Sequence, residues 1–157
     1  MKDQVFTTEQ CVPLPRDVVF AFFADPRNLE AITPPWLGFG MLERSTERVQ
    51  QGTELLYKLR IHGFPLRWRS RIEEWQANER FVDTQLEGPY AKWHHTHTFH
   101  DRGGGTLIRD RVRYRLPMGW LGRLFGGRFV ASDVKKIFAY RATRIQELLH
   151  PLASERR

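Results

Sequence analysis

Between Thr53 and Leu116 the chain changes side-chain character at almost every second residue, and few folds can absorb so much alternation. Thr53–His62 sets Leu55, Tyr57, Leu59 and Ile61 against Glu54, Leu56, Lys58 and Arg60. Leu66–Trp75 sets Leu66, Trp68, Ser70 and Ile72 against Arg67, Arg69, Arg71 and Glu73. Successive strand side chains point to opposite faces, so each segment predicts a half-buried strand. Arg80–Leu86, Lys92–His100 and Thr106–Leu116 continue the series, punctuated by Gly63 with Pro65, Gly88-Pro89 and Gly103-Gly104-Gly105. Gln4–Val12 and the stretch from Phe39 to Glu47 add two more strands. Seven strands joined mostly by short turns pair antiparallel, and such a sheet needs a cover on one face.

The cover is legible as a change of period. From about Arg128 to Leu149, Val130, Val134, Ile137, Phe138, Arg141, Ile145 and Leu148 follow a three-and-four spacing, predicting one long amphipathic helix. Two short helices precede the second strand. Arg16–Ala24 follows Pro15, and Arg27–Ile32 opens at Asp25-Pro26 and stops at Thr33-Pro34-Pro35. Pro151 is expected to end the long helix, leaving one domain over residues 1–150 and a polar tail over 151–157. The fold class is α+β: a curved seven-stranded antiparallel sheet around a C-terminal helix, with the short helices closing the space between.

Composition narrows the function. The 157 residues include 11 Phe and 5 Trp, implying either a ring-rich core or a ring-lined cavity. The single cysteine, Cys11, excludes an intramolecular disulfide and a cysteine zinc site, and fits a reducing, cytoplasmic setting. No apolar run follows Met1-Lys2-Asp3, and no stretch reaches the length of a membrane-spanning helix. The net charge of +7 admits nucleic acid or an anionic membrane as partner. Its arginines form combs, Arg67, Arg69, Arg71 and Arg109, Arg111, Arg113, that would make a basic plate only if they lay side by side; solvated outer faces are the preferred reading, and nucleic acid is an unlikely partner. Gly103-Gly104-Gly105 is a turn rather than a phosphate loop, having neither a lysine nor a following helix.

The richest chemistry lies in Lys92–His100. Trp93, His95, His97 and Phe99 share one face; Lys92, His94, Thr96, Thr98 and His100 share the other. A core-facing side that mixes rings with imidazoles describes the wall of a cavity better than a dry core. The same alternation turns Tyr57, Trp68, Ser70, Asp83, Gln85, Asp110 and Tyr114 inward. The register of 80–86 stays open, because Val82, Thr84 and Leu86 make an equally apolar face. Ligand-cavity candidates are then Trp36, Tyr57, Trp68, Asp83, Gln85, Trp93, His95, His97, Phe99, Asp110, Tyr114, Ile137, Phe138 and Arg141. Phe39, Trp120, Leu121, Leu124 and Phe125 sit in breaks and are candidates for a gate or for packing at the sheet edge. With Arg123 and Arg128 nearby, peripheral membrane contact is a further option for them.

His95-x-His97 allows two chemistries. Two imidazoles on one face with Asp83 or Asp110 can ligate a metal, but the third ligand is not assured by spacing. A hydrogen-bonded pocket network is preferred, and no metal or cofactor is expected. If the chain is an enzyme, His95, His97 and Asp110 are the acid–base candidates.

Several motifs carry a resemblance: Leu29-Glu30-Ala31-Ile32-Thr33-Pro34-Pro35-Trp36-Leu37, and Phe81-x-Asp83-x-Gln85-x-x-Gly88-Pro89-Tyr90-x-x-Trp93-x-His95-x-His97-x-Phe99. Gly104-Gly105-Thr106 and Asp110-x-Val112-x-Tyr114-x-x-Pro117 continue it. The chain resembles the START-related, polyketide cyclase/dehydrase-like superfamily (SRPBCC) with its helix-grip fold, in a bacterial branch some of whose members are labelled cell division inhibitors or fused to a sugar-epimerase-like domain. The resemblance implies a hydrophobic cavity between sheet and helix for lipid- or polyketide-like ligands. It implies cyclase, dehydratase or hydrolase chemistry as an alternative, and a regulatory module with an epimerase-like protein partner as another.

Overall fold

The computed structural model describes residues 2–117 and 127–155. Seven strands form one antiparallel sheet: β1 (Gln4–Val12), β2 (Gly40–Arg44), β3 (Glu54–Ile61), β4 (Phe64–Gln76), β5 (Arg80–Glu87), β6 (Lys92–Arg102) and β7 (Gly105–Arg115). Their spatial order is β1-β7-β6-β5-β4-β3-β2. After β1 come α1 (Arg16–Phe23), α2 (Arg27–Ala31) and a single 3-10 turn at Pro35–Leu37. The long helix α3 spans Gly127–Ser154.

Turn chemistry sets the hairpins. Ile61 pairs with Phe64, leaving His62-Gly63 as a two-residue loop with φ of 49° and 84°. Both angles are positive, as hairpin turns that match the right-handed strand twist require. Pro65 therefore belongs to β4 rather than to the turn, next to the start of the strand where a missing N–H is tolerated. The β6–β7 loop is Gly103-Gly104 alone. Gly105 has joined β7, where an added Cβ would sit 2.3 Å from the Val12 carbonyl oxygen.

One expectation needs correction, and the condition set for a basic plate is not met. Helix α3 passes through Pro151, because a proline this near the C-terminus removes one backbone donor and little helix remains beyond it; Glu155 N–H still reaches the Pro151 carbonyl at 3.2 Å. The arginine combs do not form a plate. Two strands, β5 and β6, separate β4 from β7, and the combs are partly neutralised: Arg69 and Arg71 pair with Glu54, Arg109 with Glu9, and Arg113 with Asp3.

A dry core fills one end of the sheet. Val19 and Phe20 of α1, Phe81, Phe99 and Ile108 of the sheet, and Ile145 and Leu149 of α3 are buried together. Phe20 meets the Trp75 and Phe99 rings edge-on at 4.8 and 5.1 Å. Toward the other end, Val134 and Phe138 of α3 pack with Val112 and Tyr114. The sheet margins are finished differently: β2 is five residues long with an irregular register, while Gln146 of α3 donates to the Cys11 carbonyl on β1 at 2.7 Å. No helix among the described residues is long and apolar enough to cross a membrane.

Candidate functional site

The site is built on three adjacent strands. Asp83 on β5 stands opposite His95 on β6, and His97 on β6 stands opposite Asp110 on β7. The open register of 80–86 is thereby settled, with Phe81, Asp83 and Gln85 on the inner side. The hydrogen bonds run diagonally: His95 Nε2 to Asp110 Oδ1 at 2.9 Å and His97 Nε2 to Asp83 Oδ2 at 2.8 Å. Two more contacts close the square. His97 Nδ1 lies 2.9 Å from Asp110 Oδ1, without the alignment of a hydrogen bond, and His95 Nδ1 lies 3.5 Å from Asp83 Oδ2. The imidazole centroids are 3.7 Å apart, and Phe81 stacks on His97 at 4.0 Å.

Burial and charge act against each other here. Burial pushes the Asp110 carboxyl up, but the His95 hydrogen bond, the close approach of His97 and the charge of both rings outweigh it and hold the group well below the usual range. Asp83 is also lowered: burial raises it, and the His95 charge, the His97 hydrogen bond and Arg141 more than offset that. The two histidines separate. Burial, followed by the charge of His97, lowers His95. Burial lowers His97 too, but its contacts to Asp110 and Asp83 prevail and the net shift is upward. Burial, then the Asp83 charge, raises the nearby Tyr57, keeping its phenol protonated.

Asp83, His95 and His97 open onto a cavity of about 180 Å³ between the sheet and α3, while Asp110 stands behind them. Its walls include Tyr57, Trp68, Trp93, Ile137, Phe138 and Arg141, with Phe39 against Tyr57 at 5.0 Å. Phe39 is thus part of the cavity wall. Phe22, Phe23, Leu29 and Ile32 of the α1–α2 region close one side. The sequence reading did not single these out, although the apolar content of the short helices was their signal. A second hollow of about 400 Å³ adjoins the first across Leu37, Ile61, Tyr90 and Ile137. Around it lie Trp36, Phe64 and Phe129, all exposed, and the His62–Asp133 pair at 2.6 Å, which ties the β3–β4 turn to α3.

Five predicted cavity residues lie elsewhere. Trp36 borders the outer hollow, its ring edge-on to Tyr140. Gln85 turns its amide to Tyr90, accepting from the backbone N–H and donating to the carbonyl, and so holds the β5–β6 connection. Phe99 belongs to the dry core, and Tyr114 packs with Phe138 while donating to Gln4 Oε1. Asp110 touches the imidazoles and not the space in front of them. The proposed gate residues Trp120, Leu121, Leu124 and Phe125 lie outside the described residues.

Among solved structures, the nucleoside-diphosphate sugar epimerase from Corynebacterium glutamicum is similar over 92% of this chain, with 29% identity and a TM-score of 0.69. This chain spans only 29% of that protein. TTHA0849 from Thermus thermophilus matches at 19% identity and TM-score 0.64, covering 90% of this chain and 97% of its own. A START superfamily protein from Mycobacterium smegmatis matches at 11% identity and TM-score 0.65, covering 92% and 98%. The last two likenesses speak to the fold alone. No curated protein matches the chain. Nothing in these likenesses supports an epimerase-like partner or a membrane surface. The chain has the helix-grip architecture, and residues 12–137 match the model of the family described as polyketide cyclase / dehydrase and lipid transport, to which the chain therefore belongs.

Proposed function

We propose that the chain binds a small hydrophobic ligand of lipid or polyketide type between the sheet and α3, to carry or sequester it. The observation that carries this reading is a cavity with apolar and aromatic walls whose floor is a buried His–Asp square. At about 180 Å³ the inner cavity suits a compact ring system; a longer molecule would extend past Ile137 and Tyr90 into the outer hollow. Native mass spectrometry of the purified protein is expected to show a retained organic molecule, or binding of an apolar fluorescent probe that Ile137→Trp blocks. An empty protein that takes up no probe, or takes it up equally with Ile137→Trp, overturns the reading.

Acid–base catalysis has one specific observation in its favour. Adjacent imidazoles shifted in opposite directions pair a proton donor, His97, with an acceptor, His95. Such a pair suits enolisation, dehydration or cyclisation of a bound ketone. Turnover of a polyketide-like substrate panel is expected to disappear in the double variant His95→Ala, His97→Ala; turnover that survives it sinks the assignment.

A further inference from the structure

We propose that Asp83, His95 and His97 hold one divalent transition-metal ion, of the zinc or ferrous type, on the cavity floor, with Asp110 orienting both rings from behind. Spacing in the sequence left the third ligand unassured; the β5–β6 pairing supplies it by setting Asp83 opposite His95. Their donor atoms lie within 4.8 Å of one another. Two edges of the triangle, 2.8 Å for His97 Nε2–Asp83 Oδ2 and 3.5 Å for His95 Nδ1–Asp83 Oδ2, bracket the spacing of ligands on one ion. Neighbouring ligands about 2.1 Å from a metal stand roughly 3.0–3.4 Å apart.

The proton inventory makes the same case independently. Carboxylate Asp110 can only accept, so His95 Nε2 carries the proton of their bond. A neutral His95 then turns the Nδ1 lone pair toward Asp83 Oδ2, acceptor against acceptor. A second proton on His95 would relieve this. It would also create an imidazolium beside His97, whose ring is 3.7 Å away and lies within 2.9 Å of the same two carboxylates. A single proton serves the His97–Asp83 edge and leaves the other unmet. One divalent cation meets both and balances the two carboxylates.

The outer partner is in place as well. Ring nitrogens that do not face Asp83, His95 Nε2 and His97 Nδ1, both lie 2.9 Å from Asp110 Oδ1. Metal-bound histidines ordinarily present their far nitrogen to such a carboxylate. Asp110 stays off the cavity while the three ligands line it, so the ion's remaining positions would face the space in front, beside Tyr57 and Arg141. A two-histidine, one-carboxylate face with open positions is the arrangement used for catalytic zinc and non-haem ferrous iron. An oxygen-bearing end of a ligand, a carboxylate or an enolate, is the chemistry such an ion would take. The ion would displace the proton on His97 Nε2, so metal occupancy and proton donation by His97 exclude each other.

The test uses the full chain, stripped with chelator and titrated with cobalt(II), whose visible absorption reports nitrogen and oxygen ligation. One ion per chain is expected, displaced by zinc and lost in Asp83→Asn. In Asp110→Asn the affinity should fall by about 10- to 100-fold with the cobalt bands retained. His94→Ala, on the opposite face of β6, should bind as the parent does. Should Asp83→Asn not fold, the ring-proton resonances of the parent's histidines decide: two buried rings shift with zinc while the others do not. Absence of both cobalt bands and ring shifts in the folded parent overturns the proposal, as does undiminished binding by a folded Asp83→Asn. No apolar molecule enters the measurement, so its failure and failure of hydrophobic ligand binding are separable.

Discussion

On β6, His95 and His97 face the helix while His94 and His100 face away from it. The inner pair is buried and meets carboxylates on both neighbouring strands. His94 lies between Thr84 on β5 and Arg113 on β7, and His100 is exposed beside Leu107. The residue type and the strand are the same, so the difference lies entirely in the cross-strand neighbours. An imidazole becomes a site when the adjoining strands bring it acceptors inside a low-dielectric space; on the outer face water and arginine stems do no such thing.

The comparison breaks most visibly at Asp110. Asp110→Ala strands two buried imidazoles and is expected to cost about 3–5 kcal/mol by urea unfolding, against within about 0.5 kcal/mol for His94→Ala. Equal losses would mean that the two faces are not energetically distinct. Asp83→Ala should fall between them, about 1–3 kcal/mol, because its carboxyl borders the cavity and water can replace it; a loss as large as that of Asp110→Ala would place Asp83 deeper than its 20% side-chain exposure implies. On the outer face, Arg109→Ala removes the exposed pair with Glu9 and should cost no more than about 1 kcal/mol, shrinking as salt is added. A salt-independent loss would point to packing by the arginine stem instead.

The smallest effect is expected at Asp3, where hydrogen bonds from Lys92 and Arg115 lower the carboxyl from 3.8 to about 2. A depressed folded pKa stabilises above the ordinary value and loses that contribution as pH falls from about 4 toward 2. Acid unfolding of Asp3→Asn should therefore lie below the parent near pH 5 and converge with it near pH 2. A gap that persists at the acid end would exclude ionisation of Asp3 as its source.

Much of the architecture could be read ahead of the structure, because alternation at period two and the change to three-and-four spacing are local signals. Strands, the long helix and the inward turn of His95 and His97 follow from them. The direction of Asp83 does not. Val82 is fully buried and Phe81 nearly so, hence hydropathy favours neither face of β5. What decides is pairing, and an irregularity between Ile72 and Glu74 of β4 lets Trp75 pack against Phe81 on the inner side. A bulge of that kind leaves no residue signature. The places of Trp36 at the outer hollow and Phe39 on the cavity wall were out of reach for a similar reason: both lie in a Gly-broken connection, where periodicity has nothing to say.

The bond from Gln146 to the Cys11 carbonyl bears on the chain's fate in concentrated solution. A sheet with two free margins invites another chain to add a strand at either one. Here the helix takes one backbone acceptor of the β1 margin, the Cys11 carbonyl, and the β2 margin is too short and irregular to offer a regular ladder. Removing the cap, as in Gln146→Ala, would free that one carbonyl near the end of the nine-residue strand and leave the cavity, which Gln146 does not line, untouched. The helix that covers the cavity thus also occupies part of the sheet's β1 margin.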